Sequence, residues 1–119
     1  MANPNIVNVT SIYGKTAVQA VTTTATAIVE NAADSGKIIK INSLTVANVD
    51  GTNAADITVD IYRSATAYHI ANAVSVPAKS VVVAISKDSS IYLEEGDSLR
   101  CTASVDGDLE VSCSYEEIS

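Results

Sequence analysis

The chain has 119 residues, a formal net charge of −7 and 47% hydrophobic residues, which suits a single domain with its own core over residues 1–119. It has no Phe or Trp, whereas Val, Ile and Thr fill 38 positions, and β-branched side chains favour strands over helices. An acidic chain without a Lys/Arg cluster is a poor partner for a phosphate backbone, which argues against direct nucleic-acid binding.

The start MANPNIVNV shows no signal-peptide pattern. No window approaches the roughly 20 apolar residues of a membrane span. The sequence therefore predicts a soluble protein made in a cytoplasm, without membrane contact. Turn signals at regular intervals predict an all-β, antiparallel β-sandwich of jelly-roll or Ig-like form, with about eight strands and little helix.

In chain order, residues 1–5 are expected to form an arm, and residues 6–9 a short first strand or part of that arm. Residues 16–31 are expected to hold two strands or one long kinked strand. One helical turn is expected near residues 31–34.

The strand expected at residues 37–49 changes parity. Ile39 and Ile41 are odd apolar positions, whereas Leu44 and Val46 are even. An alternating pattern cannot keep one face across such a change without an extra residue. We therefore predict a bulge or a sharp bend at residues 42–43, of the kind that carries a strand from one sheet to the other.

Residues 56–63 give the clearest strand, with one apolar and one polar face. The inward side chains are Ile57, Val59 and Ile61, and the outward ones are Thr58, Asp60 and Tyr62. Strands at 68–76 and 80–86 follow, separated by a turn at Pro77. The run 81–85 is apolar on both faces, so it is either a central strand or one covered by a neighbouring subunit.

Residues 91–93, 99–105 and 109–115 are expected to form a meander. A three-residue loop at 106–108 would place Cys101 opposite Cys113, with both side chains inward. A cross-strand disulfide there would be strained, and in a cytoplasmic chain two buried free thiols are the preferred interpretation.

The segment 94–97 reads Glu-Glu-Gly-Asp. A tight solvated turn explains it, since Gly96 allows a positive φ and Asp97 can accept from nearby backbone N–H groups. The alternative is a Ca²⁺ site, which needs roughly six oxygen ligands. The turn is the preferred interpretation, and no metal or cofactor is assigned.

Residues for catalysis are not apparent. His69 is the single histidine and lies far in sequence from both cysteines, and no triad, nucleophile elbow or phosphate-binding loop is present. The sequence therefore predicts a non-enzymatic protein. Tyr62 and Tyr92 point outward by parity, and tyrosine is enriched at interfaces. Together with the run 81–85 they define a predicted interface, which consists of Tyr62, Tyr92, Val81, Val83 and Ile85.

Three stretches, GKIIKINSLTVANVDGTNAADITVDIYRS, VSVPAKSVVVAISKDSSIYLEEGDSLRCTAS and VSCSYEEIS, resemble small virion structural proteins of tailed bacteriophages, in particular those of marine cyanophage type. The resemblance implies a compact β-sandwich on the particle surface, often trimeric and without catalytic residues. Expected partners are further copies of the chain and virion proteins such as the major capsid protein. The expected location is the virion, after synthesis in the bacterial host cytoplasm.

Three roles stay open from the sequence. The first is a capsid decoration or head-associated protein. The second is a tail, neck or fibre-associated protein. The third is a host-surface or glycan-binding module that uses the acidic C-terminal third and the outward tyrosines.

Overall fold

The structure, a computed structural model, describes residues 3–119. Met1 and Ala2, which belong to the predicted arm 1–5, lie outside the described residues. The described chain is all-β, with one 3₁₀ turn at Lys87–Ser89 and no α-helix. The strands are β1 (Ile12–Ala20), β2 (Thr26–Glu30), β3 (Ile38–Asn48), β4 (Ala55–Arg63), β5 (Thr66–Val76), β6 (Val81–Ile85), β7 (Ile91–Leu93), β8 (Ser98–Ala103) and β9 (Leu109–Ile118).

Two antiparallel sheets form a sandwich, as predicted. The five-stranded sheet has the order β1-β9-β3-β6, with β7 also paired to β3, and the four-stranded sheet has the order β2-β8-β4-β5. Successive strands cross between the two sheets except for the pairs β4–β5 and β6–β7, and this is the jelly-roll arrangement rather than the Ig-like one. Within residues 3–119, no helix is long and apolar enough to cross a membrane.

The N-terminal third follows the sequence only in part. Residues 16–31 hold the end of β1 and all of β2, so the two-strand alternative is correct. The strand proposed at residues 6–9 is wrong, because these residues form turns and bends. The helical turn expected at 31–34 is also absent, and a hydrogen-bonded turn from Ala32 to Ser35 takes its place.

The bulge in β3 is confirmed. The pairing of β3 with β9 shifts register between Ile41 and Ser43, and Ile39, Ile41, Leu44 and Val46 are all buried. The extra residue lets both halves of the strand face the core. The predicted change of sheet is wrong, because β3 pairs with β9 on both sides of the bulge.

The predicted meander at the C-terminal end is wrong. β8 lies in the four-stranded sheet and β9 in the five-stranded sheet, so residues 104–108 cross between sheets rather than closing a hairpin. Cys101 pairs with Val59 and Cys113 with Ala17 and Leu44. Both cysteines face the core, but from opposite sheets.

The run 81–85 forms β6, an edge strand of the five-stranded sheet. The central-strand alternative is therefore wrong. Val81 and Val83 expose 60% and 57% of their surface, and Val82 points to the core side beside Val46. The apolar outer face of this strand is left uncovered by the other residues that the structure describes.

The core lies between the sheets and is closed at its ends by two buried asparagines. Asn31 donates from its side-chain amide to the carbonyls of Lys37 and Leu93 at 2.9 and 3.0 Å. Asn48 donates in the same way to Asn53 and Val76 at 3.0 and 2.9 Å. Buried polar groups of this kind are costly unless they are satisfied. Each asparagine thereby fixes two loop or strand-end carbonyls at one end of the sandwich.

Candidate interface

Three of the predicted interface residues lie on one face. Val81, Val83 and Tyr92 stand on the outer side of β6 and β7, which together form one edge of the five-stranded sheet beside β3. Tyr92 is 41% exposed. We call Val81, Val83 and Tyr92 the β6–β7 strip. It is apolar and exposed, and residues 86–90 separate its β6 part from its β7 part along the sheet edge.

Ile85 does not belong to this strip. Simple alternation would place Ile85 outward with Val81 and Val83. The pairing with β3 shifts register between Leu44 and Thr45, however, and Ile85 pairs with Leu44. The shift turns its side chain into the core, where it is 2% exposed. Ile85 is therefore a core residue, and its predicted place in the interface is wrong.

Tyr62 lies on β4, in the other sheet, and is half-buried. The guanidinium of Arg100 lies 3.9 Å from the centre of its ring, a cation–π arrangement. Arg100 also donates to Asp60 at 2.8 and 3.2 Å. Asp60 faces outward as predicted, but only 2% of its surface is exposed. One face of the Tyr62 ring is thus occupied from within the chain.

Two further apolar edges were missed from the sequence. On β1, Ile12, Tyr13 and Val18 are 58%, 61% and 73% exposed. On β5, Tyr68 is 58% exposed and the neighbouring apolar side chains are partly exposed. Edge strands usually carry charges or Pro that prevent pairing with other chains. The near absence of charged residues from 12–20 and 66–76 could have indicated these two edges from the sequence.

The acidic segment 94–97 forms a tight turn, as predicted, with Gly96 at φ +90°. Asp97 accepts from the backbone N–H of Glu94 at 2.8 Å. Asp97 is not solvated, however, since it is 2% exposed and binds Arg63. Arg63 also bonds Glu94 at 2.9 Å. Among residues 3–119, no group of three or more His, Cys, Asp or Glu side chains is arranged to hold a metal ion.

Both cysteines are free and buried. Burial raises the pKa of Cys101 to about 12, with smaller contributions from Cys113 and Asp60. Burial also raises the pKa of Cys113 to about 11. A neutral thiol is a poor nucleophile. His69 is exposed on β5, on the outer edge of the four-stranded sheet.

No protein-family model and no curated protein matches this chain. Among solved structures, the chain is similar to one described as "Bacillus endospore appendages form a novel family of disulfide-linked pili". The match covers 100% of this chain and 96% of that chain, with a TM-score of 0.56 and 15% identity. At this identity the likeness shows a shared fold alone.

Proposed function

We propose that this chain is a non-enzymatic structural subunit of a bacteriophage virion, a capsid decoration or head-associated protein. It binds the capsid lattice, with the major capsid protein as partner, and associates with further copies of itself, most simply as a trimer. The proposal starts from the sequence resemblance. The structural observation that supports it is the β6–β7 strip, an exposed apolar surface on a rigid sheet edge.

Apolar surface of this kind is typical of a protein contact. A single exposed valine needs no explanation, but Val81 and Val83 stand side by side on one edge strand with Tyr92 further along the same edge. β-Sheet scaffolds are stiff, and a particle coat needs stiffness and contact surface more than chemistry. A second copy or a capsid subunit would cover this strip.

The same fold occurs in a protein that is described as forming pili. Its description also names disulfide links. In this chain both cysteines are fully buried, so we propose that its assembly is noncovalent.

The experiment that tests the proposal is fractionation of phage particles into heads and detached tails, followed by mass spectrometry for this chain. Many copies per head support capsid decoration. A few copies on tails would support the tail, neck or fibre-associated role instead. Absence from both fractions would overturn the virion proposal.

The glycan-binding alternative depends on exposed aromatic rings. Tyr92 offers one, at 41% exposure, whereas Arg100 covers one face of Tyr62. Glycan binding that is lost on Tyr92→Ala but kept on Tyr62→Ala would favour this alternative. Retention of binding in Tyr92→Ala would exclude Tyr92 as the contact, and absence of glycan binding by the parent protein would count against the alternative itself.

A further inference from the structure

The bulge in β3 coincides with a break in the neighbouring edge. Leu44 pairs with Ile85 of β6, and Ile41 pairs with Ile91 of β7. Between these two pairs β3 has residues 42–43, whereas the edge has residues 86–90, which include the 3₁₀ turn. The surplus residues cannot continue the ladder and loop out beside the bulge. Bulges often re-aim side chains next to functional sites.

A surface depression of about 450 Å³ lies over this irregularity. Its lining comes from three neighbouring elements, namely β3, β9 and the 3₁₀ turn. The lining residues are Lys40, Asn42, Ser43, Lys87, Ser114 and Glu116. We call this depression the bulge site. All of its lining side chains are polar, in a chain with 47% hydrophobic residues.

Neither cation of the bulge site forms an ion pair with a described carboxylate, although Glu116 pairs with Lys40 across β9 and β3. Of the seven Lys and Arg residues, four form ion pairs with carboxylates in the described part of the chain. The other three are Lys40, Lys79 and Lys87, and two of these line the bulge site. In a chain of net charge −7, two unpaired ammonium groups in one depression are a local attraction for an anion.

The neutral side chains of the bulge site add donors. Ser43 and Ser114 pair across β3 and β9, and their hydroxyls can donate to an anion. Asn42 donates to Glu116 at 3.1 Å, which engages the single carboxylate of the site. The formal charge of the lining is therefore +1. Asp88 lies next to Lys87 on the 3₁₀ turn but does not line the depression.

We infer that the bulge site binds an oxyanion, a sulfate or phosphate group. Its two ammonium groups outweigh the one carboxylate by a single positive charge, and hydrogen bonds between charged donors and oxyanions are stronger than neutral ones. The depression is wider than one such ion, so it also accommodates the molecule that carries the group. The site lies on the same outer face as the β6–β7 strip, in the break between β6 and β7, where Lys40 pairs with Tyr92. Its test does not depend on the virion proposal.

The test is titration of the isotope-labelled protein with sodium sulfate and with inorganic phosphate, followed by two-dimensional NMR. Sodium chloride at matched ionic strength is the control for screening. Saturable shifts confined to the amides of residues 40–43, 86–88 and 114–116 are the expected result. Shifts spread over the surface, or equal shifts with chloride, would overturn the site.

Charge-removing variants sharpen the test. Lys87→Gln and Lys40→Gln should each weaken sulfate binding about five- to tenfold, the size expected for one lost charge at a partly solvated site. Glu116→Gln should tighten it by a similar factor. Lys79→Gln is the matched control, because Lys79 is also unpaired but lies in the turn at the opposite end of β6. Equal weakening in Lys79→Gln would show a nonspecific charge effect and contradict the inference.

Discussion

The guanidinium of Arg63 binds the buried carboxylate of Asp97 through two hydrogen bonds, Nε to Oδ1 at 2.8 Å and Nη2 to Oδ2 at 2.5 Å. Arg63 ends β4 in the four-stranded sheet, and Asp97 sits in the turn that leads from β7 in the other sheet to β8. This ion pair therefore fixes the point where the chain crosses between sheets. Asp97 also accepts a hydrogen bond from the backbone N–H of Glu94, so the turn depends on the same carboxylate.

Arg63→Ala should lower the free energy of unfolding by about 2 kcal/mol, because it leaves a buried carboxylate without its cation. The value is set below that of a fully buried pair, since the Arg63 side chain is 46% exposed. Arg63→Lys should recover only part of the loss, because an ammonium cannot make the forked contact. Urea denaturation measures the free energy of unfolding of both variants.

The control for these variants is Lys79→Ala, which removes an unpaired cation and should change stability by less than about 0.5 kcal/mol. If Arg63→Ala is no less stable than Lys79→Ala, the forked ion pair is not what holds the turn.

Glu117 should contribute to the free energy of unfolding at neutral pH and lose this contribution in acid. Burial alone would raise the pKa of Glu117, but hydrogen bonds and charge from Lys15 and Lys37 outweigh this and lower it below the ordinary 4.5. Because the folded pKa is the lower one, the stabilisation is present above pH 4.5 and is lost as the pH falls through the folded pKa. Glu117→Gln should therefore cost up to about 1 kcal/mol at pH 7.

The difference between Glu117→Gln and the parent should vanish at low pH, as measured by urea denaturation from pH 7 to pH 2.5. Glu110→Gln is the matched control, since Glu110 is an exposed residue of the same strand. A cost for Glu117→Gln that is unchanged at low pH would refute the electrostatic explanation.

The buried thiols should resist modification. At pH 8 a thiol reagent should label the folded protein about a hundredfold more slowly than the protein in urea, because labelling requires opening of the core. The raised thiol pKa values also predict a stability that is constant below the ordinary thiol pKa of 9.0 and declines as the pH rises through the folded values. Rapid labelling of both thiols in the native protein would contradict the packing of Cys101 and Cys113.

Val83→Glu should abolish self-association if the β6–β7 strip is the contact, because it would place a charge in a desolvated apolar interface. Size-exclusion chromatography with light scattering measures the molecular mass. Val105→Glu is the control, since Val105 is an exposed valine outside the strip, in the loop between β8 and β9. An assembly that survives Val81→Glu and Val83→Glu would exclude the strip as the contact.

Ile85 gives the opposite prediction. Ile85→Ala should destabilise the fold by about 2–5 kcal/mol as a core truncation and leave association intact at temperatures where the protein is folded. Thermal unfolding and light scattering separate the two effects. Loss of association with an unchanged melting temperature would return Ile85 to the interface.

The sequence predicts features that depend on alternation within one strand. The parity change between Ile41 and Leu44 revealed the bulge, and the clean alternation at Ile57 and Val59 gave the inward face of β4. The turn at Gly96 followed from local turn chemistry. Each of these depends on residues close together in the chain.

The sequence was insufficient to predict features that depend on contacts between residues far apart in the chain. Inward alternation in β8 and β9 fits a hairpin, but it fits equally well two strands that face each other across the core. Likewise, the polar pattern of β4 marked Asp60 as outward without showing that Arg100 covers it. The position of Ile85 depended on a register shift against β3, which leaves no mark within residues 81–85.

The position of β9 has a consequence for biosynthesis. β9 lies between β1 and β3, and its pairs include Ile12 with Ile118. Until the ribosome has supplied residues 109–118, β1 has no strand to bind and β3 lacks one of its neighbours. Contacts that join such distant positions are slow to form. The nascent chain must therefore hold β1 unpaired, and the five-stranded sheet is complete only after β9 has left the exit tunnel.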